Sequence, residues 1–146
     1  MAAIQTMQGM GQAMRLAWLA EGYGKAGQVD AGRHAADEAL AIAARRGERQ
    51  CEAELYRLKG ELLLQGSVGH TEAAEACFQQ ALTIAHHQQA KSWELRAAMS
   101  LSCLWQRQGK RAAAYELLAP AYGWFTEGFD TADLQEARAL LQELGT

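Results

Sequence analysis

Residues Ala73 to Ala85 read AAEACFQQALTIA. Ala74, Phe78, Ala81, Leu82 and Ala85 recur at spacings of three and four, so they share one helical face. Small residues at 74 and 81 admit a second helix closely, and Phe78 fills the space between them. Glu75, Gln79 and Gln80 fall largely off that stripe, towards water. The pattern predicts the second helix of a helical hairpin.

The hairpin repeats. Ala39-Leu40-Ala41-Ile42-Ala43 returns as Ala81-Leu82-Thr83-Ile84-Ala85, and more weakly, at nearly the same interval, as Ala121-Tyr122-Gly123-Trp124-Phe125. At one fixed distance before each first alanine stands a small residue: Gly32, Ala74, Ala114. Turn signals precede these, at Gly27, Gly66 to Gly69, and Gly109. Each unit therefore reads helix, glycine turn, helix.

These features resemble the tetratricopeptide repeat, whose common form has about 34 residues. The second unit carries the pattern best, with Gly60, Ala74, Phe78 and Ala81. The first offers Leu16, Leu19, Ala20, Tyr23, Gly27 and Ala39, with Gly32 and Ala36 in place of the usual alanine and aromatic. The third offers Leu101, Ser102, Trp105, Gly109, Ala114, Leu118 and Ala121. The usual terminal proline is missing, the longer period implies longer helices, and the turn Gln65 to His70 carries a short insertion. The resemblance implies an all-α, right-handed α-α superhelix of about three long hairpins, spanning about 12–47, 48–89 and 90–126, with a C-terminal capping helix over 130–144.

Local signals place the element ends. Residues 1–11 are expected to form a mobile N-terminal segment, because Gly9 and Gly11 disfavour helix. The first helix is expected from Gln12 to Ala26, with Leu16, Leu19, Ala20 and Tyr23 as its apolar stripe. The second is expected from an N-cap at Asp30 to Arg46, with Gly47 after it. A third should cover Glu48 to Gln65, a fourth Thr71 to Gln88, and a fifth Lys91 to Gln108. A sixth should begin near Lys110 and kink at Pro120. Asp130 should cap the last helix, with Phe129 and Leu134 as a hydrophobic staple. Leu134, Ala137, Leu140, Leu141 and Leu144 give that helix a single apolar face, as a terminal cap requires.

Composition narrows the function classes. A chain of 146 residues is sized for one domain. Its net charge of −3 offers no general attraction to nucleic acid or anionic membrane. No long apolar run suggests a membrane span, and the N-terminus lacks the basic start and apolar run of a signal peptide. Cys51, Cys77 and Cys103 are odd in number and evenly spaced, so reduced thiols in a cytoplasmic protein are expected. Cys77 and Cys103 read as small buried hydrophobes.

The chemical motifs dissolve on inspection. Gly22-Tyr23-Gly24-Lys25-Ala26-Gly27 fits GxGxxG, but a dinucleotide site needs a strand before it and a helix opening after it. Here a helix precedes and a turn follows. His86 and His87 are adjacent, so they point about 100° apart on a helix and do not chelate from one face. Glu52, Glu54, Glu61 and Glu94 are spread along helix surfaces and suggest no acid-base pair. No catalytic residue, metal site or cofactor is expected. The aromatic cluster Tyr122, Trp124, Phe125 and Phe129 is expected to pack the sixth helix onto the cap.

What remains is a groove. In tetratricopeptide arrays the first helix of each hairpin lines the concave side. Carried over position by position, the resemblance implies a partner-binding surface of Glu21, Lys25, Glu54, Arg57, Glu61, Arg96, Met99 and Arg107. Glu21 and Glu61 replace the asparagines of repeats that clamp a peptide C-terminal carboxylate, so that mode is not expected. Met14 and Trp18 lie off the apolar stripe of the first helix and, with Met10 before it, suggest an apolar N-terminal edge for self-association.

Three runs carry a closer likeness: Glu54–Leu64 (ELYRLKGELLL), Gln89–Arg96 (QAKSWELR) and Leu118–Asp130 (LAPAYGWFTEGFD). They resemble the C-terminal repeat region of large bacterial proteins that join an adenylate/guanylate cyclase or DNA-binding domain to an ATPase module. Neither the cyclase aspartates nor a phosphate loop lies in this chain. The likeness implies a non-catalytic interaction or scaffolding module in a signalling protein. Its partner is expected to be a protein or peptide rather than nucleic acid or membrane. The alternatives are a homodimerisation module and a small-molecule sensor.

Overall fold

The computed structural model describes the backbone of residues 2–47, 49–66 and 70–145, with side chains from Gln12 onward. Among these residues the chain forms seven α-helices and no strand. They are α1 (Ala2–Lys25), α2 (Val29–Arg46), α3 (Glu52–Gln65), α4 (Thr71–His87), α5 (Lys91–Arg107), α6 (Arg111–Gly123) and α7 (Ala132–Gly145). Each helix packs on the next, and α1, α3, α5 and α7 also pack on one another in turn. The odd helices thus form one row. Behind it lie α2, α4 and α6, each packed against its two odd neighbours.

The small residues mark where paired helices come closest. A Cβ on Gly60 would lie 2.5 Å from Phe78 Cε1 and 3.1 Å from the Ala74 carbonyl. A Cβ on Gly32 would lie 2.9 Å from a Leu62 methyl and 3.1 Å from the Ala20 carbonyl. In the third hairpin, fully buried Ser102 donates its hydroxyl to the Ala114 carbonyl at 3.1 Å. Each hairpin therefore sets one small residue against another: Ala20 on Gly32, Gly60 on Ala74, Ser102 on Ala114. More chain separates the middle pair than the other two, and the excess is the insertion in the α3–α4 turn.

The turns are closed by a shared device. The amides of Gln28, Ala90 and Lys110 each donate to the carbonyl five positions back, at 2.8 Å. The residue before each amide is left-handed: Gly27 at φ 80°, Gln89 at φ 55°, Gly109 at φ 79°. This is the Schellman closure, which glycine adopts without a Cβ clash. Gln89 is the one non-glycine with positive φ among the described residues. Gln89→Gly is therefore expected to stabilise the fold by about 0.5–1 kcal/mol, read as a higher urea midpoint with an unchanged slope.

Several boundaries differ from the sequence reading. The backbone of α1 is helical from Ala2, not from Gln12. Each added residue contributes a helical hydrogen bond, which offsets the cost of Gly9 and Gly11 among Ala, Gln and Met. Gln28, not Asp30, is the N-cap of α2, and Asp30 sits in the first turn. There its charge still meets the positive end of the helix dipole. The start of α3 is Glu52, one turn later than the expected Glu48. Thr131, not Asp130, caps α7, its hydroxyl accepting from the Leu134 amide at 3.5 Å. That register removes the expected staple, and the Phe129 ring instead meets Tyr122 at 5.9 Å. Leu19 does not belong to the buried stripe of α1; it is half exposed.

Pro120 lies inside α6 rather than ending it. Both Pro120 and Glu116, whose carbonyl the proline leaves without its helical donor, are on the solvent side, where that acceptor is open to water. Tyr122 and Phe125 pack against the α5–α6–α7 core, while Trp124 and Phe129 stay largely exposed. Trp124 meets Phe125 edge-on at 5.2 Å and lies under the Lys91 ammonium at 5.6 Å. No described helix is long and apolar enough to cross a membrane.

Candidate functional site

The open face of the odd row forms a groove with two compartments. The first, about 490 Å³, lies between α1, α3 and the end of α5. It is lined by Glu21, Gly24, Lys25, Arg57, Glu61, Gln65 and Arg107, with Ala20 and Leu62 beneath. The second, about 520 Å³, lies between α3, α5 and α7. Arg57, Glu61, Arg96, Met99, Ser100 and Cys103 form one side, and Asp133, Glu136, Ala139, Leu140 and Glu143 the other. Arg57 and Glu61 belong to both compartments, so the groove is continuous across α3.

Beneath its midpoint is a buried ionic hub. Glu54 is only 6% exposed and lines neither compartment. Its Oε1 accepts from Arg57 Nε at 2.8 Å and from Arg57 Nη2, and pairs with Arg96 Nη1 at 3.2 Å. Arg57 Nη1 donates to Ser100 Oγ at 3.3 Å, and Arg96 Nε pairs with Asp133 at 3.7 Å. The chain Arg57–Glu54–Arg96–Asp133 thus links α3, α5 and α7. Burial by itself lowers the Arg57 pKa, but the hydrogen bond and charge of Glu54, aided by Glu61 and Glu21, outweigh it. The guanidinium is held above its ordinary value and stays charged.

The other groove positions are simpler. Lys25 reaches back to Glu21 at 3.5 Å, an exposed i, i+4 pair of small energetic consequence. Gln65 Nε2 donates to the Gly24 carbonyl at 3.1 Å and ties α3 to α1 at the groove wall. Met99 is half-buried in the floor, and Arg107 is exposed at the end of α5. Cys103 is half-buried rather than a core residue, and Cys77 likewise; Cys51 alone of the three is buried. Burial first, then the charges of Glu61, Glu143 and Glu136 against the opposing Arg107, push the Cys103 thiol up.

Seven of the eight residues assigned to the groove from sequence line its two compartments; the eighth, Glu54, lies below them. The sequence reading missed Ser100 and the whole α7 wall. That wall was legible: Asp133, Glu136, Leu140 and Glu143 recur on one helical face. Treating α7 only as a cap hid it. Of the residues assigned to self-association, Met10 lies outside the described side chains. Met14 packs against the Ala13, Ala17 and Leu55 cluster, and Trp18 is 65% exposed.

His86 lies 3.5 Å from Glu94, which also faces Lys91 at 3.7 Å. Among the described residues no group of three His, Cys, Asp or Glu side chains is placed to hold a metal ion. No family model matches this sequence, and no curated protein does either.

Proposed function

We propose that this chain is a non-catalytic protein–protein interaction module of the tetratricopeptide type, holding a peptide segment of its partner in the groove of the odd helices. The observation that carries this reading is the continuity of the groove, from Lys25 on α1 to Glu143 on α7, over a preorganised ionic floor. A floor held by Glu54 and its arginines needs no ordering when a partner arrives, which lowers the cost of binding. The stacking of odd on odd helices and the near-even recurrence of Ala39, Ala81 and Ala121 support a right-handed superhelix. The likeness to bacterial cyclase–ATPase proteins supports a role for such a module in cytoplasmic signalling.

The test is selection of binders from a random peptide library displayed on phage, with the whole chain as bait. Selected peptides are expected to lose at least about tenfold in affinity for Arg107→Glu or Ala139→Arg. Both substituted side chains are solvent-exposed groove positions, so the fold is spared. Affinity for Gln79→Arg, on the exposed side of α4, should stay unchanged. Binders indifferent to both groove substitutions would sink the proposal.

A second reading, self-association through α1, has its own observation. Trp18 and Leu19 are 65% and 50% exposed side by side, an apolar pair that a second copy would cover. Light scattering over a concentration series is expected to show a dimer that Trp18→Glu converts to monomer. A wild-type monomer throughout would exclude this reading.

A further inference from the structure

Resting on the groove reading, we infer that the α3–α5–α7 compartment selects a basic peptide segment: one aliphatic side chain on the floor of Met99, Cys103 and Leu140, flanked by Lys or Arg against the acidic rim. An entering ligand is steered by the charges that the protein has not already paired. Both arginines of the compartment are already held from below by Glu54, and Arg96 also by Asp133. Their positive charge is spent inside the protein.

The rim is different. Glu61 and Glu136 have no salt-bridge partner among the described residues. With Glu143, they add to burial in opposing the ionisation of Cys103, and Arg107 at the end of α5 offsets part of their effect. Four carboxylates, Glu61, Asp133, Glu136 and Glu143, line the compartment against Arg57 and Arg96, whose charges Glu54 already balances in part from below. A low-dielectric wall beside them strengthens their field.

The floor between these carboxylates is apolar. Met99 and Cys103 are half-buried, Leu140 is nearly closed off, and Ala139 is exposed beside it. A cavity of about 520 Å³ takes one aliphatic side chain with its local backbone. Methionine and cysteine there adapt to its shape. The neighbouring compartment sets Lys25, Arg57 and Arg107 against Glu21 and Glu61, so it lacks that acidic excess. The groove is therefore polarised, and the basic part of the ligand is directed to the α7 end. An acidic segment or a nucleic-acid backbone meets like charge there.

The peptide selection on the whole chain decides this, now read for sequence as well as for site. Enriched peptides are expected to carry Lys or Arg next to Leu, Ile, Val or Met. Their affinity is expected to fall at least about tenfold with Glu136→Lys, and again when salt rises from about 50 to about 500 mM. Circular dichroism and a urea melt of Glu136→Lys, an exposed position, should match wild type. Acidic or uncharged peptides that still lose affinity to Ala139→Arg would overturn the basic partner and leave the groove reading standing. Binders that ignore Ala139→Arg and Arg107→Glu alike, or no enriched binder, would overturn both.

Discussion

Phe78→Ala is expected to lower the unfolding free energy by about 3–5 kcal/mol, a large share of what a domain of this size holds. Phe78 is fully buried where α3, α4 and α5 meet, against Leu63, Leu101 and Leu104. Gly60 is the hole it fills. In the wild type, Gly60→Ala is expected to cost about 1–3 kcal/mol, because its new methyl would meet the Phe78 ring and the ring has no room to retreat. In the Phe78→Ala background the ring is gone. The same substitution should then cost clearly less than in the wild type, because only the Ala74 carbonyl at 3.1 Å still crowds the new methyl and alanine outranks glycine inside a helix. Urea melts of the four proteins measure this coupling. An equal cost of Gly60→Ala in both backgrounds would show that Phe78 is not what requires the glycine.

The second large effect concerns the ionic hub. Glu54→Ala is expected to cost about 3–5 kcal/mol, because it leaves the Arg57 guanidinium buried without its counter-ion. The side chains of Arg57 and Glu54 are 12% and 7% exposed, so solvent screens little of the loss. Glu54→Gln keeps an acceptor for Arg57 Nε but removes the charge, and should fall between wild type and Glu54→Ala. Replacing the pair together, Glu54→Met with Arg57→Met, should recover most of the stability, since the desolvation cost disappears with the charges. Groove binding is expected to weaken in that double variant even where stability returns, because the floor loses the pairing that orders Arg96 and Ser100. A double variant as unstable as Glu54→Ala would mean that shape, not charge pairing, holds this site.

Much of the architecture was readable beforehand because the repeat is written in residue size. Gly32, Ala74 and Ala114 stand at one position of each unit, and the tertiary structure sets each against a small partner. The turns at Gly27 and Gly109 were equally visible, since left-handed backbone leaves a glycine signature. Gln89 adopts the same turn without that signature, so sequence placed the helix end there without explaining it. Caps were read less well. Asp130 and Thr131 are both competent N-caps, and only the seating of Leu134 and Ala137 on the α5–α6 core chooses between them. Leu19 looks like a core residue by spacing alone. It is exposed because the neighbours that cover the rest of the α1 stripe, α2 and α3, do not reach its side of the helix.

The sequence by itself determined the helical hairpins, their order and the row of residues facing one way, because period and residue size are local properties of the chain. It could not determine how deeply a charge on that row lies. Glu54 and Glu61 are two turns apart on the same face of α3, yet one is buried under Arg57 and Arg96 while the other lines the groove. The difference comes from α5, which brings Arg96 and Ser100 over one end of α3, and from α7, which closes the second compartment with its own carboxylates. Burial and electrostatic field are sums over neighbours distant in sequence, and only the packed chain supplies those neighbours.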